Sequence, residues 1–145
     1  MTVKLKKRVL RIKDPGSAIT HFIAMILAAA AATPLLLKAG RGPGQMHVTA
    51  LAVFIVSMVG LYGASTLYHT LDISPKINKL LRKIDHMMIF VLIAGTYTPV
   101  CMIVLGDRTG WMLLSLVWGI AAAGIVINAC WITCPKWFSS MIYIA

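Results

Sequence analysis

Three polar side chains set among apolar neighbours have the types and spacing to do chemistry. They are Ser65 and His69 in "GASTLYHT" (residues 63–70) and Asp85 in "LRKIDHMM" (81–88). On a helix, positions four apart share one face, so Ser65 and His69 lie along a single stripe. An antiparallel helix following them can bring Asp85 to the same depth. Imidazole nitrogen is a common zinc ligand, and a neighbouring carboxylate can bind the metal or hold its water. Water on zinc has a pKa of about 7, which yields a nucleophile for an ester or amide carbonyl. A catalytic zinc normally takes about three protein ligands, and the apolar stretches here supply one convincing one, His69. Two other readings stand beside the metal. His69 at a helix C-terminus can interact with the helix dipole or snorkel to the interface, and Asp85 can pair with Arg82 as interfacial trim. The same groups can also form a proton relay or line a substrate path.

The remaining ionisable groups sharpen the asymmetry. His86 adjoins Asp85, and His21 lies one turn into the first apolar stretch, so three of the four histidines and one of the four acids converge on one leaflet. His47 marks the opposite one. The cysteines, Cys101, Cys130 and Cys134, are odd in number and lie in or at the ends of apolar stretches. Cys130 and Cys134 are one turn apart, but two thiols without a second pair fall short of a zinc site and read as buried free thiols.

The elements that must position these groups follow from composition. The 145 residues are 59% hydrophobic and 12% charged, outside the range of soluble globular domains. The chain reads as all-α, a polytopic transmembrane helix bundle. Charge-free stretches at 17–37, 47–68, 87–105 and 110–133, each about 19 to 24 residues, are long enough to span a bilayer core. A fifth apolar run, 137–145, reads as the start of a further helix. The formal charge of +10 does not indicate a nucleic-acid partner, because the cations are sorted by loop. Lys4, Lys6, Lys7, Arg8, Arg11 and Lys13 precede the first span; Lys76, Lys79, Arg82 and Lys83 lie between the second and third, and Lys136 falls on the same side. Only Lys38, Arg41 and Arg108 oppose them. The positive-inside rule therefore places the N-terminus in the cytoplasm. Residues 1–13 form a basic cytoplasmic segment, an orientation signal that also suits an anionic lipid surface. Residues 14–145 form one membrane domain without repeats. A cleaved signal peptide is disfavoured because the first apolar run is longer than a signal core.

Local signals set the boundaries. Asp14–Pro15 and Ser74–Pro75 each read as an N-cap followed by a first-turn proline, so the third helix is expected to begin within its preceding loop. "KAGRGPGQ" (38–45) and "GDRTG" (106–110) read as turns closing helical hairpins. Pro99 is expected to kink the third helix and free a carbonyl. Gly60 with Ala64 and Gly119 with Ala123 offer small surfaces for close helix contact.

Taken together, "SAITHFIA", "GASTLYHT", "LRKIDHMMIFVLIAGTYTPV" and "GWMLLSLVWGIAAAGI" resemble the hemolysin III family, the bacterial branch of the progestin and adiponectin receptor group, over nearly the whole chain from about Asp14. The resemblance implies a seven-helix bundle in the bacterial inner membrane, N-terminus in the cytoplasm, with a zinc site at its cytoplasmic end. It maps His69 to a zinc ligand, Asp85 to the carboxylate that contacts the metal or its water, and Ser65 to the hydroxyl supporting that water. The family's other two ligands come from a His-x-x-x-His motif in the last helix, which this sequence does not contain. The chain is thus expected to be a C-terminally truncated member whose helix 5 begins with "PKWFSSMIYIA" and whose metal site is incomplete. The wider resemblance to receptor-linked and alkaline ceramidases implies a metal-dependent hydrolase acting on a lipid amide or ester. The alternatives are a membrane-perturbing cytolysin, as the family name implies, and a receptor-like lipid-homeostasis protein without turnover. An aqueous pore would need a polar stripe through the full depth, and the ionisable residues stop near one leaflet.

Overall fold

A computed structural model describes residues 12–42 and 44–130. Within them the chain runs α1 (Pro15–Arg41), α2 (Gln45–Thr70), α3 (Pro75–Pro99), a π-helical stretch Val100–Leu105, and α4 (Arg108–Cys130). The four expected spans fall on these helices, and all four are long and apolar enough to cross a membrane. The basic residues 1–11, Cys134, Lys136 and the expected fifth helix at 137–145 lie outside the described residues, as does the expected end of the fourth span at 133.

The boundaries follow from capping chemistry, with two differences from expectation. At Ser74 the hydroxyl accepts the Ile77 N–H at 3.3 Å, and Pro75 opens α3, so this helix starts well before the apolar stretch at 87. The loop before it is tied by Asn78, whose amide donates to Asp72 Oδ1 (2.7 Å) and accepts from the Ile73 N–H (3.2 Å). Asp14 does precede α1 at the N-cap position, but its side chain makes no capping bond; the carboxylate is used elsewhere, as described below. The first turn is also shorter than the 38–45 expected, because α1 continues to Arg41. Gly44, at φ +98°, makes the reversal, and its N–H donates to Ala39 O at 3.2 Å. At the other hairpin Asp107 Oδ1 accepts the Gly110 N–H at 2.9 Å and caps α4.

Each helix packs mainly on its neighbours in sequence, giving an antiparallel row α1–α2–α3–α4. Lipid offers no hydrophobic drive for such packing, so close contact depends on small residues. A Cβ added at Gly60 would lie 2.7 Å from Met88 Cε, and one at Gly95 would fall on the Ser57 hydroxyl. Between α3 and α4 the small residue is Gly124, where a Cβ would meet the Phe90 ring at 2.5 Å. Phe90, Ala94 and Ala121 form the buried cluster there, with Val117 and Ile125 against it. The expected Gly119/Ala123 contact is not formed among the described residues: Gly119 faces open space and Ala123 is exposed, because the packing face runs 117–121–124–125. Large side chains such as Leu27, Val56, Val104 and Met112 point outward, as a lipid-facing surface requires.

Pro99 acts as its chemistry dictates. It lacks an N–H, so α3 loses a bond to the preceding turn, and the chain continues with π-type bonding that ends where Gly106 (φ +59°) donates to Cys101 O at 3.1 Å. Thr98 helps to hold this region: its hydroxyl donates to Ala94 O (2.8 Å) and accepts from Trp118 Nε1 on α4 (3.2 Å). Cys101 is a buried free thiol. The side chain of Cys130 is outside the described set.

Candidate functional site

The relevant end of the row is where α2 stops and α3 begins. Two contacts fix the antiparallel register of these helices: Gly60 against Met88, and Gly95 against Ser57. Continued toward the loop, that register brings Asp85 level with Ser65 and leaves His69 one turn further out, about 6 Å along the axis. Ser65 and Asp85 thus share one depth, with His69 one turn further toward the loop.

Each of the three sits differently. Ser65 is buried, 4% exposed. Most hydroxyls in these helices turn back to a carbonyl of their own helix, as Thr66 does to Tyr62 O at 2.7 Å, but among the described residues the Ser65 hydroxyl makes no hydrogen bond. Asp85 is 9% exposed. Among the described residues no hydrogen bond or ion pair reaches its carboxylate, so the expected trim pair with Arg82 is not formed. Its oxygens keep access to the surface, since among the described residues His47 Nδ1 alone is a buried side-chain polar atom with no partner; an acid in a membrane-crossing helix still marks a functional site by default.

His69 is held from three directions. Its Nδ1 lies 3.1 Å from Asp14 Oδ2, and the Asp14 backbone N–H donates to His69 O at 2.9 Å. The His21 ring lies parallel to it, centroids 5.7 Å apart and planes at 13°. Tyr68 meets it edge-on at 4.9 Å. Tyr62 contacts His21 at 5.9 Å, and Lys13 Nζ stands 3.6 Å over the Tyr68 ring. The Nε2 of His69 has no hydrogen-bond partner among the described residues.

Sequence reasoning placed His21 at the correct depth but missed Asp14 as a partner of His69. The Asp-Pro signal had been spent on a helix cap, and no periodicity links residues 55 positions apart. Lys83, read as an orientation cation, also has a structural job: its Nζ donates to Ala129 O at 2.7 Å, capping the end of α4. At the opposite end His47 Nδ1 is buried without a partner among the described residues, and no acid contacts it there.

The donors that face this end are an imidazole, a carboxylate and a hydroxyl. They suit zinc in kind and fall short in number, since no group of three or more His, Cys, Asp or Glu able to hold a metal exists among the described residues.

A profile of the family described as "Haemolysin-III related" matches residues 10–145. The chain is 40% identical over 129 residues to the protein named Hemolysin-3 from Bacillus cereus, covering 88% of this chain and 58% of that protein. It is 38% identical over 116 residues to the Hemolysin-3 homolog of Bacillus subtilis (strain 168), covering 80% of this chain and 54% of that protein. No solved structure matches. The chain thus spans little more than half the length of these relatives. A multi-pass membrane protein with four apolar helices among its described residues, matched by the family profile over nearly its whole length, this chain belongs to the Haemolysin-III related family.

Proposed function

We propose that the α2–α3 end of this protein is part of a zinc site on the cytoplasmic side of the bacterial inner membrane, with His69 and Asp85 as its contacts and Ser65 as support. The reading rests chiefly on Asp85, an acid only 9% exposed in a membrane-crossing helix, whose carboxylate has no hydrogen bond or ion pair among the described residues. The orientation rests on the cations Lys76, Lys79, Arg82 and Lys83 at this end against Lys38, Arg41 and Arg108 at the other. His69 and Asp85 give fewer ligands than zinc needs, so the rest of the set would come from sequence that the relatives have and this chain does not cover.

A zinc ion bound here would supply Lewis-acid chemistry suited to hydrolysis of a lipid ester or amide. The protein's own groups would divide the remaining work. His69 would present Nε2 as the neutral donor, Asp85 would take a proton from the attacking water at a carboxylate oxygen, and the Ser65 hydroxyl would donate a hydrogen bond to that water from the same depth. The surrounding apolar side chains would exclude bulk water and admit an acyl chain from the bilayer.

The test is zinc titration, in detergent, of this segment within a full-length protein that carries the further sequence its relatives have, with zinc content by elemental analysis as a second readout. His69→Ala and Asp85→Ala should each weaken binding at least about tenfold, as loss of a direct contact requires. Equal affinity in wild type and both variants would remove the metal from this end.

A further inference from the structure

Asp14 lies far from His69 in sequence and reaches it twice in space, through its carboxylate and through its backbone N–H. A carboxylate can only accept, so the hydrogen of this bond sits on the imidazole Nδ1. In the neutral imidazole that assignment fixes the tautomer: Nε2, across the ring, carries the lone pair. The ring plane is fixed independently, with His21 parallel to one face and Tyr68 against it edge-on.

We infer that Asp14 is a positioning residue, whose carboxylate holds His69 in the Nδ1–H tautomer and so presents Nε2 as a ligand nitrogen. This rests on the metal reading proposed above and adds to it a residue that neither the spacing of the motifs nor the family resemblance singles out. The arrangement is the carboxylate–imidazole pairing by which metal-binding histidines are oriented and made more basic. It also explains why Asp14 occupies an N-cap position without using its side chain to cap.

The two-point contact makes the inference separable from folding. The backbone bond from Asp14 N–H to His69 O survives any substitution except proline, so α1 stays docked while the carboxylate is removed. The experiment uses the chain in detergent micelles with 15N-labelled histidine, at alkaline pH where imidazoles are neutral, and reads the His69 tautomer without metal. Wild type should show Nδ1–H, and Asp14→Ala should revert to the Nε2–H form. Asp14→Asn, which keeps an acceptor oxygen, should retain Nδ1–H. In parallel titrations with zinc alone of a full-length protein carrying this segment, Asp14→Ala should lose about 10- to 100-fold in affinity and Asp14→Asn less than tenfold. An unchanged tautomer in Asp14→Ala overturns the inference. If His69→Ala abolishes zinc binding while Asp14→Ala alters neither tautomer nor affinity, the metal reading stands and the positioning role falls. If the tautomer switches but zinc affinity is indifferent to both His69→Ala and Asp14→Ala, the metal reading fails and takes Asp14's role toward a metal with it.

Discussion

Asp85 carries a prediction in which stability and function move in opposite directions. The residue is 9% exposed, and its carboxyl has no hydrogen-bond or ion-pair partner among the described residues. A fully buried polar group without a partner costs about 1–3 kcal/mol, and a carboxyl whose oxygens keep some surface access costs less. Replacing it with alanine removes that cost, deletes no apolar group beyond the shared Cβ, and improves helix propensity by up to about 0.7 kcal/mol. Asp85→Ala should therefore stabilise the metal-free chain by about 0.5–1 kcal/mol. The measurement is reversible unfolding in mixed micelles by titration with a denaturing detergent, with a chelator present, and the midpoint should rise. In a full-length protein carrying this segment, the same substitution should weaken zinc binding, the trade-off expected where a strained polar site is kept for use. Destabilisation by more than about 1 kcal/mol would mean the carboxylate holds the fold together, as loss of a buried hydrogen-bonded group does, and the reasoning would be wrong.

Further predictions test the packing. Gly95→Ala drives a Cβ into Ser57 and should destabilise the α2–α3 contact by about 1–3 kcal/mol, with Ser57→Gly in the same chain restoring most of the loss in the same unfolding assay. Lys83→Met keeps the apolar stem but leaves Ala129 O without its donor; hydrogen exchange in the last turn of α4 should speed up about fivefold, the equivalent of about 1 kcal/mol. Gly106→Ala imposes a side chain on a left-handed residue at φ +59° and should lower stability by about 1–2 kcal/mol, while Gly119→Ala, facing open space, should be neutral or slightly stabilising.

Much of this was legible in the sequence because membrane burial writes itself in long runs. Four charge-free stretches gave four helices, and Ser74–Pro75 gave the start of α3, since a hydroxyl three residues ahead of a free N–H is a local signal. Pro99 gave the departure from α-helical bonding because the defect is in the residue itself. Pairings between helices were less legible. Gly119 and Gly124 look alike in sequence, and only the rotation of α4 about its axis decides that Gly124 meets Phe90 while Gly119 faces outward. Asp14 shows the same limit at the site. Its local chemistry suggests a cap, and a histidine on α2 outcompetes the cap because the hairpin returns to the same end of the row. The depth match of Asp85 with Ser65 was accessible from the sequence because antiparallel neighbours joined by a short loop leave little choice of register.

The distribution of polar groups argues for which end of the row does chemistry. In the middle of the helices, hydroxyls are consumed by their own backbone: Ser57 returns to Phe54 O at 2.7 Å, Thr98 to Ala94 O, and Ser115 to Trp111 O at 2.9 Å. These residues spend their donor hydrogens on their own backbone, and Thr98 also accepts from Trp118 Nε1. At the His47 end the acid is Asp107, and it is occupied in capping α4 through the Gly110 N–H, so the orphan His47 nitrogen has no carboxylate to orient it. At the α2–α3 end the pattern reverses. Asp72 is committed to Asn78, but Asp14 is turned onto an imidazole, and Asp85 and Ser65 lie buried at one depth with their capacity unspent. Unspent polar capacity in an apolar medium is selected against unless something uses it, and at this end it coincides with an oriented imidazole whose outer nitrogen has no hydrogen-bond partner among the described residues. That coincidence, more than any single residue, makes the α2–α3 end the place to look for a bound ion.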